Sequence, residues 1–392
     1  MQFPMAKRTQ TLTNSFVRKI LALTNKPEVI SFAGGLPDAS LFPHESIEKV
    51  IHELLAANDT SIYQYSPTKG YAPLLARLAQ EYRAQGIQAS EETMLITTGS
   101  QQSLDLICKM MLDPQSVVIT EDPTYLAALQ LFRVYEATIK AVPTDEEGPD
   151  LNVLETLFAQ EDVRFFYTIP TFQNPTGFTC TQEKRQAIAD LAKRYGVLIV
   201  EDNPYGKLRY EGTEPVSYGT LLPEQTIVLG TASKIAVPDF RLGWMHAPVH
   251  LCEMAVKLKE SADLQCSYFF QRVLYKLMEN GTLDAHQQRL INAYKAKRDA
   301  MLNALATYCK ESLHVSVPEG GMFVWATLKE GGDTMELFNE VIKENVAFVP
   351  GVVFYPHAKT SNGMRLNFTN ASIQEIEEGI KRMAHVLSPV KA

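Results

Sequence analysis

Residues 94–120 read MLITTGSQQSLDLICKMMLDPQSVVIT, and their pattern is the clearest indication of the fold. It begins with an apolar run at 94–97, continues through a turn of small residues into an amphipathic run at 103–111, and ends with a second apolar run at 116–120. Short apolar runs are typical of buried strands, and longer amphipathic runs are typical of helices. The stretch therefore predicts strand, helix and strand in succession, the unit from which parallel sheets are built.

The same alternation extends through the middle of the chain. Further strands are predicted at 138–142, 164–169, 197–202 and 226–230. Helices are predicted between them at 126–134, 151–159 and 183–195. We therefore predict an α/β fold with a mostly parallel sheet that helices cover on both faces. Ligands of such sheets bind beyond the carboxyl ends of the strands, so the residues that follow each strand are the candidates for function.

The pattern of predicted secondary structure changes towards the carboxyl terminus. A long helical pattern runs from about 281 to 308, and short strands and turns such as 320–325, GGMFVW, follow it. This change predicts a second, smaller α+β domain. We divide the chain into an N-terminal segment, a large domain that binds the ligand and a small C-terminal α+β domain. Their boundaries are 1–40, 41–285 and 286–392, and the N-terminal segment is expected to pack with the small domain and the active site.

Composition excludes several classes of function. The chain has 392 residues, with 37 Lys and Arg against 45 Asp and Glu, so its formal net charge is −8. This balance argues against nucleic acid and anionic membranes as partners. The five cysteines are scattered and form no C-x-x-C pair, which favours reduced thiols in the cytoplasm over disulfides or a zinc site. We read no signal peptide and no membrane-spanning segment, and expect no metal.

The turn after the first strand of the quoted stretch is Thr98-Gly99-Ser100-Gln101, and it opens a helix. Backbone N–H groups and the positive end of the helix dipole would form a cradle for an anion at Ser100 and Gln101. A capped helix without any ligand would have the same sequence, so the turn by itself leaves both interpretations open.

A carboxylate, Asp202, stands at the end of the strand predicted at 197–202. At the end of a buried strand it needs a cationic or hydrogen-bonding partner, because burial otherwise raises its pKa and neutralises it. A turn or helix-capping role is the alternative.

Lys234 follows the next strand, within Thr231-Ala232-Ser233-Lys234, and Arg241 comes seven residues later. Burial and a neighbouring cation would lower the pKa of this lysine and make its amine nucleophilic. A lone lysine of this kind would more often be a surface residue. Together, however, an anion cradle, a carboxylate, a lysine and an arginine are the parts that pyridoxal 5′-phosphate requires. The glycine-rich signatures of dinucleotide and nucleotide sites are absent from the sequence.

Longer motifs support this interpretation. They are PTFQNPTG at 170–177, DNPY at 202–205, SK at 233–234 with RLG at 241–243, and RLNF at 365–368. With these motifs in this order the chain resembles the fold-type I, class I/II pyridoxal-phosphate-dependent aminotransferases over about residues 14–385. SFAGGLP at 31–37 and YQYSP at 63–67 make it most similar to the branch of 2-aminoadipate and kynurenine/aminoadipate aminotransferases. The resemblance implies a large domain with a mostly parallel seven-stranded sheet flanked by helices, plus a smaller α+β domain.

The resemblance also implies roles at the cofactor ring. Lys234 would bind the cofactor covalently and act as the catalytic general base and acid. Asp202 would keep the pyridine nitrogen protonated, and Asn174 and Tyr205 would hydrogen-bond the 3-oxygen of the ring. Tyr125 would stack on the ring.

The phosphate would be held by the cradle and by neighbouring hydroxyl and guanidinium groups. The residues implied are Ser100, Gln101, Thr231, Ser233 and Arg241. In this family serine is commoner where Thr231 stands, and threonine keeps the hydroxyl.

Substrate recognition is implied at a further set of positions. Arg365 would bind the substrate α-carboxylate through two parallel hydrogen bonds, with Asn174 beside it. Gly35 would allow close approach of the substrate to the backbone, and Arg18 would shape side-chain recognition from the N-terminal segment. Tyr65 would reach the cofactor phosphate in the active site of a second subunit and contribute to substrate binding there, which implies a homodimer with shared active sites.

The expected activity is transfer of an amino group from an L-amino acid to a 2-oxo acid by a ping-pong mechanism. Aromatic, branched-chain and 2-aminoadipate-like donors all remain open, and 2-oxoglutarate is the expected acceptor. One alternative is a β-lyase on cysteine-type substrates that uses the same cofactor. Another is a ligand-sensing domain, as in some DNA-binding regulators. Because the family pattern begins near residue 14, we expect no preceding DNA-binding segment, and we expect an enzyme.

Overall fold

The structure is a computed structural model that describes residues 3–10, 20, 26, 28–160 and 162–387. The helices are α1 (Lys7–Gln10), α2 (His44–Ala56), α3 (Ala72–Ala84), α4 (Ser100–Met111), α5 (Leu126–Val134), α6 (Leu151–Phe158), α7 (Gln182–Tyr195), α8 (Tyr218–Leu221), α9 (Val249–Ala262), α10 (Tyr268–Glu279), α11 (Thr282–Tyr308), α12 (Thr334–Val341) and α13 (Ile373–Leu387). The strands are β1 (Ile30–Ser31), β2 (Met94–Thr97), β3 (Val117–Asp122), β4 (Thr138–Asp145), β5 (Gly148–Pro149), β6 (Val163–Thr168), β7 (Leu198–Asp202), β8 (Thr226–Thr231), β9 (Gly243–His246), β10 (Leu313–Val315), β11 (Phe323–Leu328), β12 (Val346–Ala347), β13 (Val349–Pro350) and β14 (Gly363–Asn367).

The large sheet has the order β2-β9-β8-β7-β6-β3-β4-β5 within the described residues. Strands β4, β3, β6, β7 and β8 run parallel, whereas β9 is antiparallel to both of its neighbours. Seven of these strands have four or more residues, and β5 is a two-residue edge strand. The predicted mostly parallel sheet is confirmed. Its parallel strands end on one side, at Asp122, Thr168, Asp202 and Thr231.

The residues of this sheet explain why it is buried on both faces. Every residue of β2 and β8 is buried, as expected for strands that helices cover on both sides. One of the helices of the large domain, α7, has clear local start and stop signals. Thr181 caps the start of α7 through its side chain, and Gly196 ends that helix with φ 69°, a conformation that glycine adopts without steric cost.

A second, antiparallel sheet has the order β10-β11-β14-β13 within the described residues. It follows α11, a helix of 27 residues. Strand β1 pairs in parallel with β12, so residues 30–31, near the start of the chain, lie beside residues 346–347, near its end. The next residue after β1, Phe32, accepts a hydrogen bond through its carbonyl from the backbone N–H of Asn367, the last residue of β14, and β14 also carries Arg365.

No helix of the described residues is both long enough and apolar enough to cross a membrane. Over the same part of the chain, histidine, cysteine and acidic side chains form no group that could hold a metal ion. All five cysteines are described, and each is buried with a free thiol.

Candidate active site

The candidate residues converge beyond the carboxyl ends of the parallel strands. Asp202 is the last residue of β7, and Lys234 lies three residues after the end of β8. Asn174 lies on the loop after β6, and Arg365 comes from β14 of the small sheet. The structure thus brings together side chains from four separate parts of the chain.

The amine of Lys234 donates a hydrogen bond to the backbone carbonyl of Gly35, with 2.8 Å between Nζ and the oxygen. Burial lowers the pKa of Lys234 from its usual 10.5 to about 8, and the positive charges of Arg365 and Arg241 add to the effect. About one tenth of such an amine is neutral at pH 7. The position therefore suits a nucleophile or a proton carrier.

Asp202 is buried, with 5% of its surface exposed. Its Oδ2 accepts a hydrogen bond of 2.7 Å from the Tyr167 hydroxyl, whereas its Oδ1 has no partner among the described residues. Burial raises the pKa of Asp202 to about 6, and the bond from Tyr167 opposes this rise. A buried carboxylate oxygen without a donor is costly. It fits a ligand with a protonated ring nitrogen.

The turn before α4 has the features of an anion site. Gly99 is the N-cap with φ 76°, and no side chain of the described residues caps this helix end. A Cβ placed on Gly99 would lie 2.7 Å from Nη2 of Arg241, so the guanidinium lies directly against the turn. Ser100 begins the helix and Gln101 follows it, exposed. A positive helix end beside an arginine favours a phosphate.

Two hydroxyl groups lie at the end of β8. The Thr231 hydroxyl lies within hydrogen-bond distance of Oγ of Ser233, at 3.1 Å, and of the Leu242 carbonyl oxygen, at 3.2 Å. Gly243, which follows, approaches the turn so closely that a Cβ there would lie 2.5 Å from the Ser100 nitrogen. The end of β8 is thereby held next to the beginning of α4.

Arg365 is buried and its guanidinium is held on two sides. Nη1 donates to Oδ1 of Asn174 at 2.8 Å, and Nη2 donates to the Ala33 carbonyl at 2.7 Å. The Phe323 ring lies under the guanidinium, 4.3 Å from its carbon to the ring centroid. Burial lowers the pKa of Arg365 to about 10, so it stays charged at neutral pH. Nε has no partner in the described part of the chain.

Two tyrosines complete the site. Nδ2 of Asn174 donates to the hydroxyl of Tyr205 at 3.3 Å. Tyr125 precedes α5, and burial raises its pKa to about 12, with the charge of Asp202 acting in the same direction. Burial also raises the pKa of Tyr205, so both phenols stay protonated near neutral pH and can donate hydrogen bonds.

The remaining predicted residues have different positions. Gly35 contacts the site through its carbonyl, and a Cβ there would lie 3.3 Å from the Phe323 ring. Tyr65 is 79% exposed. Arg18 lies outside the described residues.

Sequence reasoning missed three contributors to the site: Tyr167, Gln173 and the carbonyl of Ala33. The Gln173 amide donates to the Pro123 carbonyl at 2.6 Å, and its Oε1 accepts from the Thr176 hydroxyl at 2.7 Å, so it joins two loops of the site. A signal for Tyr167 was present, since a tyrosine inside the apolar strand at 163–168 needs a partner for its hydroxyl. A backbone carbonyl gives no such signal.

Comparison with known proteins agrees with this geometry. The sequence matches the family described as aminotransferase class I and II over residues 28–383. The chain belongs to this family. This aminotransferase is 42% identical over 381 residues to aromatic-amino-acid aminotransferase 1 of Thermococcus litoralis, covering 95% of this chain and 91% of the relative.

Two further relatives support the assignment. The 2-aminoadipate transaminase of Thermus thermophilus is 37% identical to this aminotransferase over 382 residues, covering 96% of this chain and 95% of the relative. The crystal structure of kynurenine aminotransferase from Pyrococcus horikoshii, in complex with PMP, has a TM-score of 0.93 and 40% identity. That match covers 98% of this chain and 96% of the other. The cofactor of this transaminase is pyridoxal 5′-phosphate, and the fold is fold-type I, as predicted.

Proposed function

We propose that this aminotransferase takes the amino group from an aromatic, branched-chain or 2-aminoadipate-like L-amino acid and passes it to 2-oxoglutarate by a ping-pong mechanism. The names of the relatives support the aromatic and 2-aminoadipate classes. The observation that carries the proposal is the pairing of a lysine of lowered pKa with a buried arginine in one site, opposite a buried carboxylate.

The residues at the ring have separate tasks. When bound, pyridoxal 5′-phosphate supplies an aldehyde for the amino group and a ring that accepts electrons from the substrate α-carbon. Asp202 would hold the ring nitrogen protonated through Oδ1, which has no partner among the described residues. Asn174 and Tyr205 would donate hydrogen bonds to the 3-oxygen, and Tyr125 would lie against the ring face. Lys234 Nζ is the covalent attachment point.

Lys234 is also the proton carrier. Once the substrate amino group has displaced it from the cofactor, its released amine, neutral in part because of its lowered pKa, would remove the α-proton of the substrate and return a proton as an ammonium group. The Gly35 carbonyl accepts a hydrogen bond from this amine and so limits where it can lie. A proton carrier positioned in this way avoids the entropic cost of bringing a base in from solution.

The two anionic groups of the complex are bound at different places. Arg365 binds the α-carboxylate through parallel hydrogen bonds, with Asn174 as a second donor and Gly35 leaving room for the substrate. The phosphate lies on the amide groups of the α4 turn and on neighbouring polar side chains. These are Ser100, Gln101, Thr231, Ser233 and Arg241.

We extend the proposal to the assembly and location of the protein. An exposed tyrosine pair, Tyr63 at 72% and Tyr65 at 79% exposure, supports a homodimer in which Tyr65 reaches the second active site. We also propose that Arg18, in the N-terminal segment, shapes recognition of the substrate side chain. Free, buried cysteines support a cytoplasmic protein. The segment 1–40, the large domain 41–285 and the small domain 286–392 remain our division of the chain.

Absorbance and product analysis test the proposal. The purified protein should be yellow, and amino donors should shift its absorbance to that of pyridoxamine phosphate. A panel of donors with 2-oxoglutarate should give glutamate. Release of pyruvate and ammonia from a cysteine conjugate without an acceptor would indicate the β-lyase instead.

Lys234→Ala should abolish transamination and leave the unfolding temperature close to that of the parent. The control variant is Lys310→Ala, which changes an exposed lysine and should retain full activity. Undiminished turnover in Lys234→Ala would remove the lysine from its assigned role.

A further inference from the structure

We propose that Tyr167 is a positioning residue for Asp202. Its hydroxyl donates a hydrogen bond to Oδ2 of Asp202, which leaves Oδ1 available to bind the ring nitrogen of the cofactor. The inference rests on the proposed role of Asp202 and extends it to a residue that does not touch the cofactor. It is carried by the geometry of β6 and β7.

The two residues meet because their strands are parallel neighbours. Tyr167 of β6 pairs with Val200 of β7, and Asp202 lies two residues further along β7. Since side chains alternate between the faces of a strand, Asp202 and Val200 point to the same face of the sheet. The Tyr167 hydroxyl donates to Oδ2 of Asp202 across the two strands, and the 2.7 Å between the oxygens is typical of a strong hydrogen bond to a carboxylate.

Packing alone does not explain a tyrosine at this position. The ring of Tyr167 is fully buried and makes an edge-to-face contact with Phe132, with 5.7 Å between ring centroids. A phenylalanine would keep this contact. The hydroxyl adds a polar group to an apolar core, and such a group is costly unless it has a partner. Asp202 is that partner.

The hydroxyl can act only as a donor to Asp202. Burial, together with the charge of Asp202, raises the pKa of Tyr167 well above its usual 10, so the phenol stays protonated. An ionised carboxylate is a pure acceptor, and its Oδ2 is thus satisfied within the protein. Its Oδ1 has no donor among the described residues and is left for the ligand.

Removal of the hydroxyl should weaken cofactor binding through Asp202. Without the bond from Tyr167, burial would raise the pKa of Asp202 further and less carboxylate would face the ring nitrogen. Hydrogen bonds to charged groups have effects of about tenfold or more on binding. Tyr167→Phe should therefore raise the dissociation constant for pyridoxal 5′-phosphate about tenfold.

The test is dialysis of the holoenzyme against graded concentrations of free pyridoxal 5′-phosphate, with the bound fraction read from absorbance. Tyr218→Phe is the matched control, because Tyr218 is also fully buried but its hydroxyl lies 4.0 Å from the sulfur of Cys180 and not beside Asp202. The control should bind the cofactor within twofold of the parent. A parent-like dissociation constant for Tyr167→Phe would overturn the inference.

A double variant separates positioning from general damage to the core. In an Asp202→Asn background, Tyr167→Phe should change the dissociation constant by less than twofold, because the group it acts through is already gone. A tenfold loss in both backgrounds would show a merely structural role and would overturn the inference. Parent-like cofactor binding by Asp202→Asn itself would overturn the role of Asp202 as well, which distinguishes failure of the proposed site from failure of Tyr167 alone.

Discussion

The lowered pKa of Lys234 makes a quantitative prediction about the protein after its cofactor has been removed. With a pKa of about 8, about one tenth of the amine is neutral at pH 7 and about nine tenths at pH 9. An ordinary lysine with a pKa of 10.5 would have about one neutral amine in 3,000 at pH 7. The rate of covalent capture of pyridoxal 5′-phosphate should therefore rise about tenfold from pH 7 to pH 9 and then level off.

The sign of this effect follows from the chemistry. Only the neutral amine attacks the aldehyde, so the rate is lost as the pH falls through the pKa and the amine gains a proton. Burial is the largest cause of the lowered pKa, and the charge of Arg365 is the second. Removal of that charge in Arg365→Leu should move the midpoint of the pH profile upwards.

Stopped-flow absorbance after mixing with pyridoxal 5′-phosphate between pH 6.5 and 10 measures the profile. Capture by a free lysine derivative over the same range corrects for titration of the cofactor itself. A rate that still climbs tenfold per pH unit between 8.5 and 10 would refute the reasoning, because it would show an amine with an ordinary pKa.

Two further substitutions test the anion sites. Arg365→Lys keeps the positive charge but loses the forked guanidinium that donates hydrogen bonds to Asn174 and to the Ala33 carbonyl. In steady-state assays kcat/KM for amino donors should therefore fall about 10- to 100-fold, whereas cofactor binding should be retained. Gly99→Ala places a methyl group 2.7 Å from Nη2 of Arg241 at a residue with φ 76°, so cofactor affinity should drop at least tenfold by the same dialysis measurement. Parent-like values would count against the assigned sites.

The local parts of the fold were predictable from local patterns. The apolar runs at β2 and β8 predicted buried strands because strands covered on both faces carry no polar alternation. The positions of Asp202 and Lys234 just after strands predicted that they would lie on one side of the sheet, since parallel strands end together. Their individual roles came from motif resemblance.

Local sequence patterns were enough to predict which segments form the sheet and which chemical groups stand at the ends of its strands, because both depend on spacing along a few consecutive residues. The partners of those groups depend on how distant parts of the chain pack together. Arg365 can contact Asn174 only because β14 of the small sheet lies beside the loop that follows β6. Tyr167 can contact Asp202 only because β6 and β7 pair in their observed register. Such pairs, including Lys234 with the Gly35 carbonyl, are separated by up to about 200 residues, so packing of the whole chain fixes their distances.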